Sequence, residues 1–475
     1  MPTPPPEKAS SASSTLSGDS RFISEEDVLT IVEKFCYFLS QLKFDEAQTH
    51  IESHKLVVTV LPHAADKIWQ QIMVTVAQLA SAEQSYFTLS FFTTKFSFTK
   101  NNNNLKELYT RIRQDLRRIE DNANSPFSDP EIAKNDIRKS IVNHFCDYAG
   151  TRIELIDFYS NLQGKDWRSV VDESLAKLNA ISEVYNQDGP SPLSPQPDLI
   201  SKELQLLILS FDLKKKLSRC SVLDSLLLLK NLKTLFSNFF KDISQELSSK
   251  QSNSGLFSFM KPNKAPPKYF LLNWLVALYN SMLAKFSIYF NDVLGPYVPS
   301  NELKQFQTAN TPINMYNFFS TFMRKQGPSV ISIVMCRGSD QSPFYGFGYH
   351  KFLQESPLDT VQPSKDRFPV LMSMVNERYK SYDLLKSKID DFLSLSHQAA
   401  HSEAKPKFLS EKEKNSETTF FCIHIEWQLF LVVYFDKKIA EKDASVTNFL
   451  NDVVGFLRFT KLYQELRTPS RTNHS

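Results

Sequence analysis

Glycine is scarce in this chain, where it occurs only 11 times in 475 residues. Loops that hold phosphate through backbone N–H groups need several glycines at fixed spacing, as in G-x-x-x-x-G-K-[ST] and G-x-G-x-x-G. Neither pattern is present in the sequence. The composition therefore argues against a nucleotide-binding enzyme, and we expect no cofactor.

Paired cysteines, a strong net charge and long apolar runs are also missing. The net charge of +3 is too small to indicate nucleic-acid binding. The N-terminus has no apolar segment typical of a signal peptide, and polar residues break every long apolar run, so a soluble protein is expected. Five dispersed cysteines are typical of free thiols in a reducing compartment: Cys36, Cys146, Cys220, Cys336 and Cys422.

Apolar residues at helical spacing are what the chain has in abundance. The longest stripe runs from Tyr269 to Leu294, with apolar residues at every third or fourth position. Pro266-Pro267 before it and Gly295-Pro296 after it suit the start and the end of a helix. Several polar residues interrupt the stripe, so we predict a buried core helix about 39 Å long rather than a membrane span.

The same periodicity predicts an all-helical bundle over residues 21–310, after a Pro/Ser-rich tail at residues 1–20 that we expect to be disordered. The other helices are predicted from Ser24 to Leu39, Ala64 to Phe91, Leu105 to Ile119, Ile132 to Tyr159, Asp166 to Tyr185, Asp198 to Cys220 and Val222 to Ser249.

The periodicity changes after about residue 310. The β-branched run Val330–Met335 predicts a strand, and two more strands are predicted at Phe344–Tyr349 and Pro369–Val375. Thr419–Phe435 alternates along its whole length and is long for one strand, so we interpret it as a hairpin that turns near Glu426–Gln428. Helices are predicted at Met315–Lys325, Lys380–Leu395 and Ala444–Leu466, and a charged loop at His397–Ser416.

These elements predict an α+β protein of two domains. The helical bundle at 21–310 is followed by a smaller α+β domain at 311–475 with a mostly antiparallel sheet. By analogy of element order alone, the second domain is similar to longin and roadblock domains.

Two constellations suggest chemistry. Cys422, His424 and Glu426 alternate on one predicted strand and could converge on zinc, but they also suit the polar face of a half-exposed strand. Cys336 and His350 could form a nucleophilic dyad, although no orienting group or oxyanion donor is signalled. We favour the structural interpretation in both cases, so we expect no metal site and no enzyme.

Clusters of basic residues are open to two interpretations. The predicted helix at Leu105–Ile119 carries four arginines and a lysine, together with several acids. We favour a solvated face with ion pairs over contact with anionic lipid, where each basic residue contributes about 1 kcal/mol. Lys214–Lys216 and Arg219 are interpreted in the same way. The basic residues of the helix are Lys106, Arg111, Arg113, Arg117 and Arg118.

A series of short motifs resembles one known family, that of the helical subunit of KICSTOR, a four-protein assembly that restrains growth signalling on lysosomes. The motifs are IDFY at Ile156–Tyr159, LSP at Leu193–Pro195, MLAKFSIYF at Met282–Phe290, FMRK at Phe322–Lys325, RGS at Arg337–Ser339, GFGYH at Gly346–His350 and FLNDV at Phe449–Val453. The resemblance extends from about residue 25 to about residue 465.

The resemblance implies a non-enzymatic scaffold that tethers the Rag-directed GATOR complex to lysosomes and inhibits target-of-rapamycin complex 1 when amino acids or glucose are short. The expected partners are the other KICSTOR-type subunits and GATOR, with self-association as a further option. The expected location is the cytoplasm, with recruitment to the lysosomal surface, and any membrane contact is expected to be indirect or through weak basic patches. A trafficking adaptor with a longin-like domain is the alternative.

Candidate partner-binding residues come from two sources. Phe257 and Phe259 lie in GLFSFM, an apolar cluster between polar flanks, which either binds a partner or folds back over the bundle. The RGS and GFGYH motifs add Arg337, Gly346, Gly348 and His350. For the two glycines, a bulge or a close backbone approach is the structural interpretation.

Overall fold

The N-terminal part of the chain is helical. The computed structural model describes residues 25–58, 64–92, 104–124, 136–162, 170–186, 198–247, 269–295, 315–337, 344, 346–347, 364–379, 382–400, 405–412 and 417–466. Ten α-helices precede residue 296 in this described part: α1 (Glu25–Ser40), α2 (Phe44–Val58), α3 (Ala64–Phe87), α4 (Asn104–Ala123), α5 (Asp136–Asn161), α6 (Val170–Tyr185), α7 (Leu199–Ser218), α8 (Val222–Leu247), α9 (Phe270–Tyr289) and α10 (Asn291–Leu294).

The predicted apolar stripes form these helices and face their core. Leu105, Ile112 and Leu116 of α4 are all buried, as a stripe at spacing three and four requires. The carboxylate of Asp198 accepts the backbone N–H of Ser201 at 2.8 Å and caps the start of α7. The predicted helices are therefore confirmed, with ends shifted by a few residues.

Helix α2 is one that the sequence analysis does not predict. Phe44, Ala47 and Ile51 are its buried apolar residues, and the rest of its described side chains are partly or fully exposed. Leu42, with φ of 58°, lies in the left-handed region and separates α2 from α1. A stripe of three residues on a polar helix is too weak a pattern to stand out.

Helix α9 is the predicted core helix, and the structure confirms its burial. Fifteen of its 20 residues are buried, including the polar Asn280 and the charged Lys285. The helix ends at Tyr289, five residues before the predicted end, and the chain restarts as α10. Some of the polar residues that argue against a membrane span, such as Asn280 and Lys285, are thus buried inside the protein. A polar group that is buried in this way needs a hydrogen-bonding or charged partner.

The C-terminal part is one antiparallel sheet flanked by helices. Its elements are α11 (Met315–Gln326), β1 (Val330–Met335), β2 (Val370–Val375), α12 (Asp383–Ala400), β3 (Lys407–Lys412), β4 (Glu417–Glu426), β5 (Leu429–Phe435), α13 (Ala444–Leu457) and α14 (Thr460–Glu465). The strand order is β2-β1-β5-β4-β3, and every neighbouring pair is antiparallel. The predicted α+β class is confirmed, and the likeness to longin and roadblock domains stays an analogy.

Three local predictions are wrong. Of the strand predicted at Phe344–Tyr349, the structure describes Phe344, Gly346 and Phe347, and none is in a strand; Gly346 has φ of 101°. Strand β3 lies inside the segment that we predicted as a loop. The prediction missed it because charged residues on this edge strand hide the alternation of its side chains. The last predicted helix is two helices, which meet at Phe459 with φ of 60°.

Both faces of the central strands β1, β4 and β5 are buried, which corrects the expectation that Cys422, His424 and Glu426 lie on the polar face of a half-exposed strand. Ile423, Leu431 and Val433 face the large core that they share with the helices. Cys422 and Val432 point the opposite way, into a second core covered by α12. The predicted tail at 1–20 and the predicted domain boundary near residue 310 lie outside the described residues.

Candidate functional site

The structure separates the three residues of the predicted zinc site. The Cys422 thiol lies in the core beneath α12. The His424 ring packs 5.0 Å from the Phe430 ring, and its Nε2 is 2.9 Å from the carbonyl oxygen of Trp427. A bulge between His424 and Glu426 turns the Glu426 carboxylate to the other face of the sheet. In the described part of the chain, no three His, Cys, Asp or Glu side chains converge as a metal ion requires.

The predicted dyad cannot be assembled from the described residues, since His350 lies outside them. Cys336 is 2% exposed, and its backbone N–H donates to the carbonyl of Gln428 at 2.8 Å. A buried thiol of this kind packs as a small apolar side chain. Phe257, Phe259 and Gly348 also lie outside the described residues, so their predicted role stays a prediction.

Arg337 and Gly346 are the predicted partner-binding residues that the structure describes. The Arg337 guanidinium donates to the carbonyls of Ser364 at 3.1 Å and Asp366 at 3.4 Å, and it lies 5.2 Å from the ring of Phe344. Arg337 therefore ties the end of β1 to the segment before β2. Gly346 is exposed and left-handed, which is a conformation that favours glycine.

A buried polar group joins the helices to the sheet, and we call it the junction cluster: Lys214, Lys285, Tyr289, Glu426 and Tyr463. Lys285 of α9 forms an ion pair with Glu426 of β4 and donates to the carbonyl of Leu457 at 3.0 Å. The Tyr289 hydroxyl donates to the same carboxylate at 2.6 Å. Lys214 of α7 donates to the Tyr463 hydroxyl of α14 at 2.9 Å. These bonds connect α7 and α9 with β4 and the C-terminal helices.

The electrostatics of the junction cluster follow from its burial. Lys285 and Glu426 are 0% and 3% exposed, so neither charge can be hydrated. Burial lowers the pKa of Lys285, and the Glu426 carboxylate opposes that decrease. Burial lowers the pKa of Lys214 to about 8, because only the more distant Glu426 opposes it. A lysine of lowered pKa can act as a nucleophile, but both ammonium groups are enclosed by side chains.

A second buried group lies within the helices, and we call it the arginine cluster: Glu83, Tyr86, Tyr109, Tyr148, Arg152, Tyr159 and Glu203. The Arg152 guanidinium donates to both oxygens of Glu83, at 2.8 and 2.6 Å, and to Glu203 at 2.5 Å. The hydroxyls of Tyr86 and Tyr159 donate to Glu203 at 2.7 and 2.8 Å. The Tyr109 hydroxyl donates to Glu83 at 2.7 Å.

The arginine cluster ties four helices together, because its members come from α3, α4, α5 and α7. Arg152 and Glu83 are both 0% exposed. Although burial disfavours its charge, Glu83 and the surrounding groups raise the pKa of Arg152 well above its ordinary value. A fully hydrogen-bonded ionic group of this kind fixes the register of the helices that carry it.

Both clusters lie within the part of the chain that aligns with known proteins. The family model described as "KICSTOR complex C12orf66 like" matches residues 20–471. The chain belongs to this family. Similar proteins are KICSTOR subunit 2 of Danio rerio, 24% identical over 450 residues that cover 93% of this chain and 96% of the relative, and KICSTOR subunit 2 of Xenopus laevis, 23% identical over 450 residues that cover 93% and 97%.

The resemblance drawn from the motifs is thereby confirmed, and the KICSTOR family match includes the helices as well as the sheet. The motif MLAKFSIYF carries Lys285 and Tyr289 of the junction cluster. Its burial confirms the interpretation as core, because Phe286, Ile288 and Tyr289 are all buried. None of the helices in the described part of the chain has the length and apolar composition needed to cross a bilayer.

Four of the basic residues form ion pairs, in agreement with the favoured interpretation: Lys106, Arg118, Lys215 and Lys216. Lys106 pairs with Asp157 of α5 at 2.7 Å, and Arg118 lies 3.5 Å from Asp115. Lys215 pairs with Asp172 at 2.7 Å. Lys214 is the exception: we predicted a solvated side chain, but it is 3% exposed, because α14 covers it.

Sequence analysis does not single out the arginine cluster. Glu83, Arg152 and Glu203 belong to three different helices, and each is unremarkable among charged neighbours. Lys285 carries a usable signal, since it is a lone charge within a continuous apolar stripe. A charge in that position needs a buried partner. That partner, Glu426, lies 141 positions later in the sequence, so no local pattern connects the two residues.

Proposed function

We propose that this chain is a non-enzymatic scaffold subunit of a KICSTOR-like complex. The observation that carries the proposal is the family match over residues 20–471, together with relatives named KICSTOR subunit 2 that align over nearly their whole length. An alignment of that extent includes the helices, the sheet and the junction between them. The partners are therefore the other subunits of such a complex.

The finer function follows the family. The complex tethers the Rag-directed GATOR GTPase-activating complex to the lysosomal surface, and the outcome is inhibition of target-of-rapamycin complex 1 when amino acids or glucose are short. The chain itself is cytoplasmic and reaches the lysosome through its partners.

The contacts of the reactive side chains support a scaffold rather than an enzyme. Cys336 and Cys422 are buried in the core beneath α12, and burial raises the pKa of the Cys422 thiol. The charge of Lys285 is balanced by Glu426, and that of Arg152 by Glu83 and Glu203. Groups that could do chemistry are thus used to hold elements together, which leaves function to the surface.

The test is quantitative co-purification of the tagged full chain from its own cells, followed by mass spectrometry. We expect the other KICSTOR-type subunits in amounts comparable with the tagged chain, and target-of-rapamycin activity that persists during starvation when the chain is deleted. A stably folded chain that recovers none of these subunits and has no effect on starvation signalling would contradict the proposal.

A second measurement addresses chemistry. We expect the purified protein to contain no stoichiometric zinc and to hydrolyse no nucleotide. One equivalent of tightly held metal that is lost in a Cys422→Ser/His424→Ala variant would favour an enzyme instead.

A trafficking adaptor is the second candidate. The observation that favours it is the five-stranded antiparallel sheet with α12 on one face and helices on the other. The same co-purification separates the two, because an adaptor recovers vesicle-coat or membrane-fusion proteins in place of KICSTOR-type subunits.

A further inference from the structure

Ion pairs connect helices α4 and α5 near both ends of their contact. Lys106 of α4 pairs with Asp157 of α5 at 2.7 Å. Towards the other end of α4, Glu120 pairs with Arg138 of α5 at 3.1 Å. The two helices therefore run antiparallel. Each of these buried or half-buried charges has a counterion on the facing helix, as a charge at a helix contact requires.

The middle of this contact has two arginines and no carboxylate. Arg113 and Arg117 are one helical turn apart, on the face of α4 that carries the two ion pairs. The Cys146 thiol of α5 donates to the backbone carbonyl of Arg113 at 3.7 Å. Burial raises the pKa of that thiol, and the charges of Arg117 and Arg113 oppose the rise, which locates both side chains at this level of α5. Neither arginine forms an ion pair within the described part of the chain.

The Arg113 guanidinium lies against the backbone of α5 with one of its donors unused. A Cβ atom at Gly150 would be 3.4 Å from Arg113 Cζ, so the guanidinium packs over a position of α5 that has no side chain. Arg113 Nε is buried and has no hydrogen-bond acceptor among the described residues. A buried donor without an acceptor is rare in folded proteins, and a bound water or ion is the usual explanation. The side chain as a whole is only partly buried, so an anion can approach it from solvent.

The acidic side chains nearby leave this position open. Asp147 of α5 is exposed, forms no ion pair with either arginine and has a different partner. Asp121, one turn after Arg117, is exposed and forms no ion pair with it. Both oxygens of Glu120 accept from the Arg138 guanidinium, at 3.1 and 3.3 Å. Two positive charges therefore face this part of the contact without a balancing carboxylate.

We propose that Arg113, Arg117 and the α5 backbone at Gly150, together called the α4–α5 site, bind a single phosphate group. A phosphate group carries about two negative charges at neutral pH, which balances two guanidinium groups. Its oxygens accept from planar N–H groups, including the unused Nε of Arg113. The chain places a carboxylate near either end of the helix contact and none here, so the anion comes from outside the chain. Free phosphate and a phosphorylated side chain share this chemistry, and the inference does not depend on the proposed complex.

A membrane surface fits the α4–α5 site less well. Arg111 and Arg118 would have to add to a flat basic surface, but their spacing from Arg113 and Arg117 puts them on other sides of α4. Arg118 also lies 3.5 Å from Asp115. Stable attachment to anionic lipid needs a cluster of about four to eight basic residues. A compact anion between two helices reaches the buried Nε of Arg113 more readily than a headgroup in a bilayer does.

The test measures binding of phosphate compounds to the purified full chain by phosphorus NMR, at constant ionic strength with chloride as the reference anion. The probes are inorganic phosphate and a short peptide with one phosphoserine, and the same peptide without phosphate serves as a competitor. We expect both phosphate probes to bind, and the unmodified peptide not to displace them. Arg113→Gln/Arg117→Gln should weaken the binding about tenfold or more, because charge-assisted hydrogen bonds are lost. Tighter binding of the phosphopeptide would assign the site to a phosphorylated protein, and equal binding would assign it to free phosphate.

A matched control variant keeps the test specific. Arg111→Gln/Arg118→Gln removes the same charge from the same helix outside the α4–α5 site, and it should change the affinity by less than about twofold. Both double variants should keep their melting temperatures within a few degrees, since neither breaks a buried ion pair. The proposal is overturned if the wild type binds no phosphate, if the two double variants bind it with equal affinity, or if only vesicles that contain a phosphoinositide bind, as measured by co-sedimentation.

Discussion

The arginine cluster and the junction cluster both bury charge, but they hold it differently. Arg152 meets two carboxylates and the hydroxyl of Tyr148, so its donors have acceptors on several sides. Lys285 meets one carboxylate and one backbone carbonyl. Lys214 meets a single phenol hydroxyl, at 2.9 Å, and the face of the same ring, 4.7 Å from its ammonium nitrogen.

The two clusters therefore differ in how their buried charges respond to pH. The pKa of Arg152 is raised, so its charge persists at every pH at which the protein folds. The pKa values of Lys214 and Lys285 are lowered, so the contacts between the helices and the sheet depend on pH. Helices of one bundle are fixed by a permanent ion, whereas the two parts of the protein are joined by ions that can be discharged.

The largest effect is expected in the arginine cluster. Arg152→Met leaves Glu83 and Glu203 buried without a cation, and we expect the free energy of unfolding to fall by about 3–5 kcal/mol. Urea unfolding followed by circular dichroism measures the change. Arg118→Met is the matched control, because the Arg118 side chain is 75% exposed and should contribute little. A loss below about 1 kcal/mol for Arg152→Met would show that water or rearrangement replaces the guanidinium.

The junction cluster should show a slightly smaller loss and a clear rescue. Lys285→Met leaves the Glu426 carboxylate with only the Tyr289 hydroxyl and should cost about 3 kcal/mol. Lys285→Met/Glu426→Leu removes both charges and should recover most of that loss, because a buried ion pair is often no more stable than apolar packing. The double-mutant cycle gives the coupling energy. If the double variant is less stable than both single variants, the two residues do not act as a pair.

The pH dependence of Lys214 should give a smaller effect. Its folded pKa of about 8 is below the ordinary 10.5, so above pH 8 the unfolded chain binds the proton that the folded chain has lost. The penalty for burying the charge therefore decreases as pH rises from about 8 toward 10.5. Between pH 8 and pH 9.5 the wild type should gain about 1–2 kcal/mol relative to Lys214→Met.

Tyrosine ionisation in this window affects both proteins alike. Burial raises the pKa of Tyr463 and Tyr289, whereas unfolded tyrosine, with a pKa of about 10, is about a quarter ionised at pH 9.5, so the resulting destabilisation is common to the wild type and Lys214→Met. Burial and, to a smaller extent, the Lys214 charge lower the pKa of Lys285, so Lys214→Met also changes the titration of Lys285. Parallel stability curves for wild type and Lys214→Met across this window would contradict the lowered pKa.

The smallest effect is expected outside both clusters, at the edge of the sheet. Asp292 of α10 accepts the backbone N–H of Ser373 at 2.9 Å and so covers part of the outer edge of β2. Asp292→Ala should cost about 1 kcal/mol and increase concentration-dependent association, because it uncovers a strand edge. Asp292→Asn keeps an acceptor and should behave like the wild type in light scattering. Equal association of both variants would mean that Asp292 does not protect the edge.

Periodicity was sufficient to predict most helices and the central strands, because α9 and β5 bury most of their side chains and their apolar patterns are strong. It was not sufficient for α2 and β3, whose buried residues are few and whose charged residues dominate the pattern. Alternation also misplaced Glu426, since a one-residue bulge turns its side chain from one face of the sheet to the other. No local sequence pattern in this strand predicts the bulge.

The candidate site was less predictable than the fold for a physical reason. A buried charge is recognisable only beside its partner, and Arg152 lies 69 positions from Glu83 and 51 from Glu203. The family could be recognised without knowledge of these contacts, because the short motifs occur in this sequence in the order that the family has. The motif that contains Lys285 is an example, since its letters mark the family and its burial becomes visible only in the fold.

The most direct test of the scaffold account is target-of-rapamycin activity in starved cells whose own copy is replaced by a Cys336→Ala variant, which removes the nucleophile of the predicted dyad. The account predicts that the variant restrains signalling as the wild type does, because function resides in surfaces and not in a reactive side chain. Protein level and co-purified subunits are measured in the same cells. A variant that is stable and bound to its partners, yet leaves signalling unrestrained, would contradict the account.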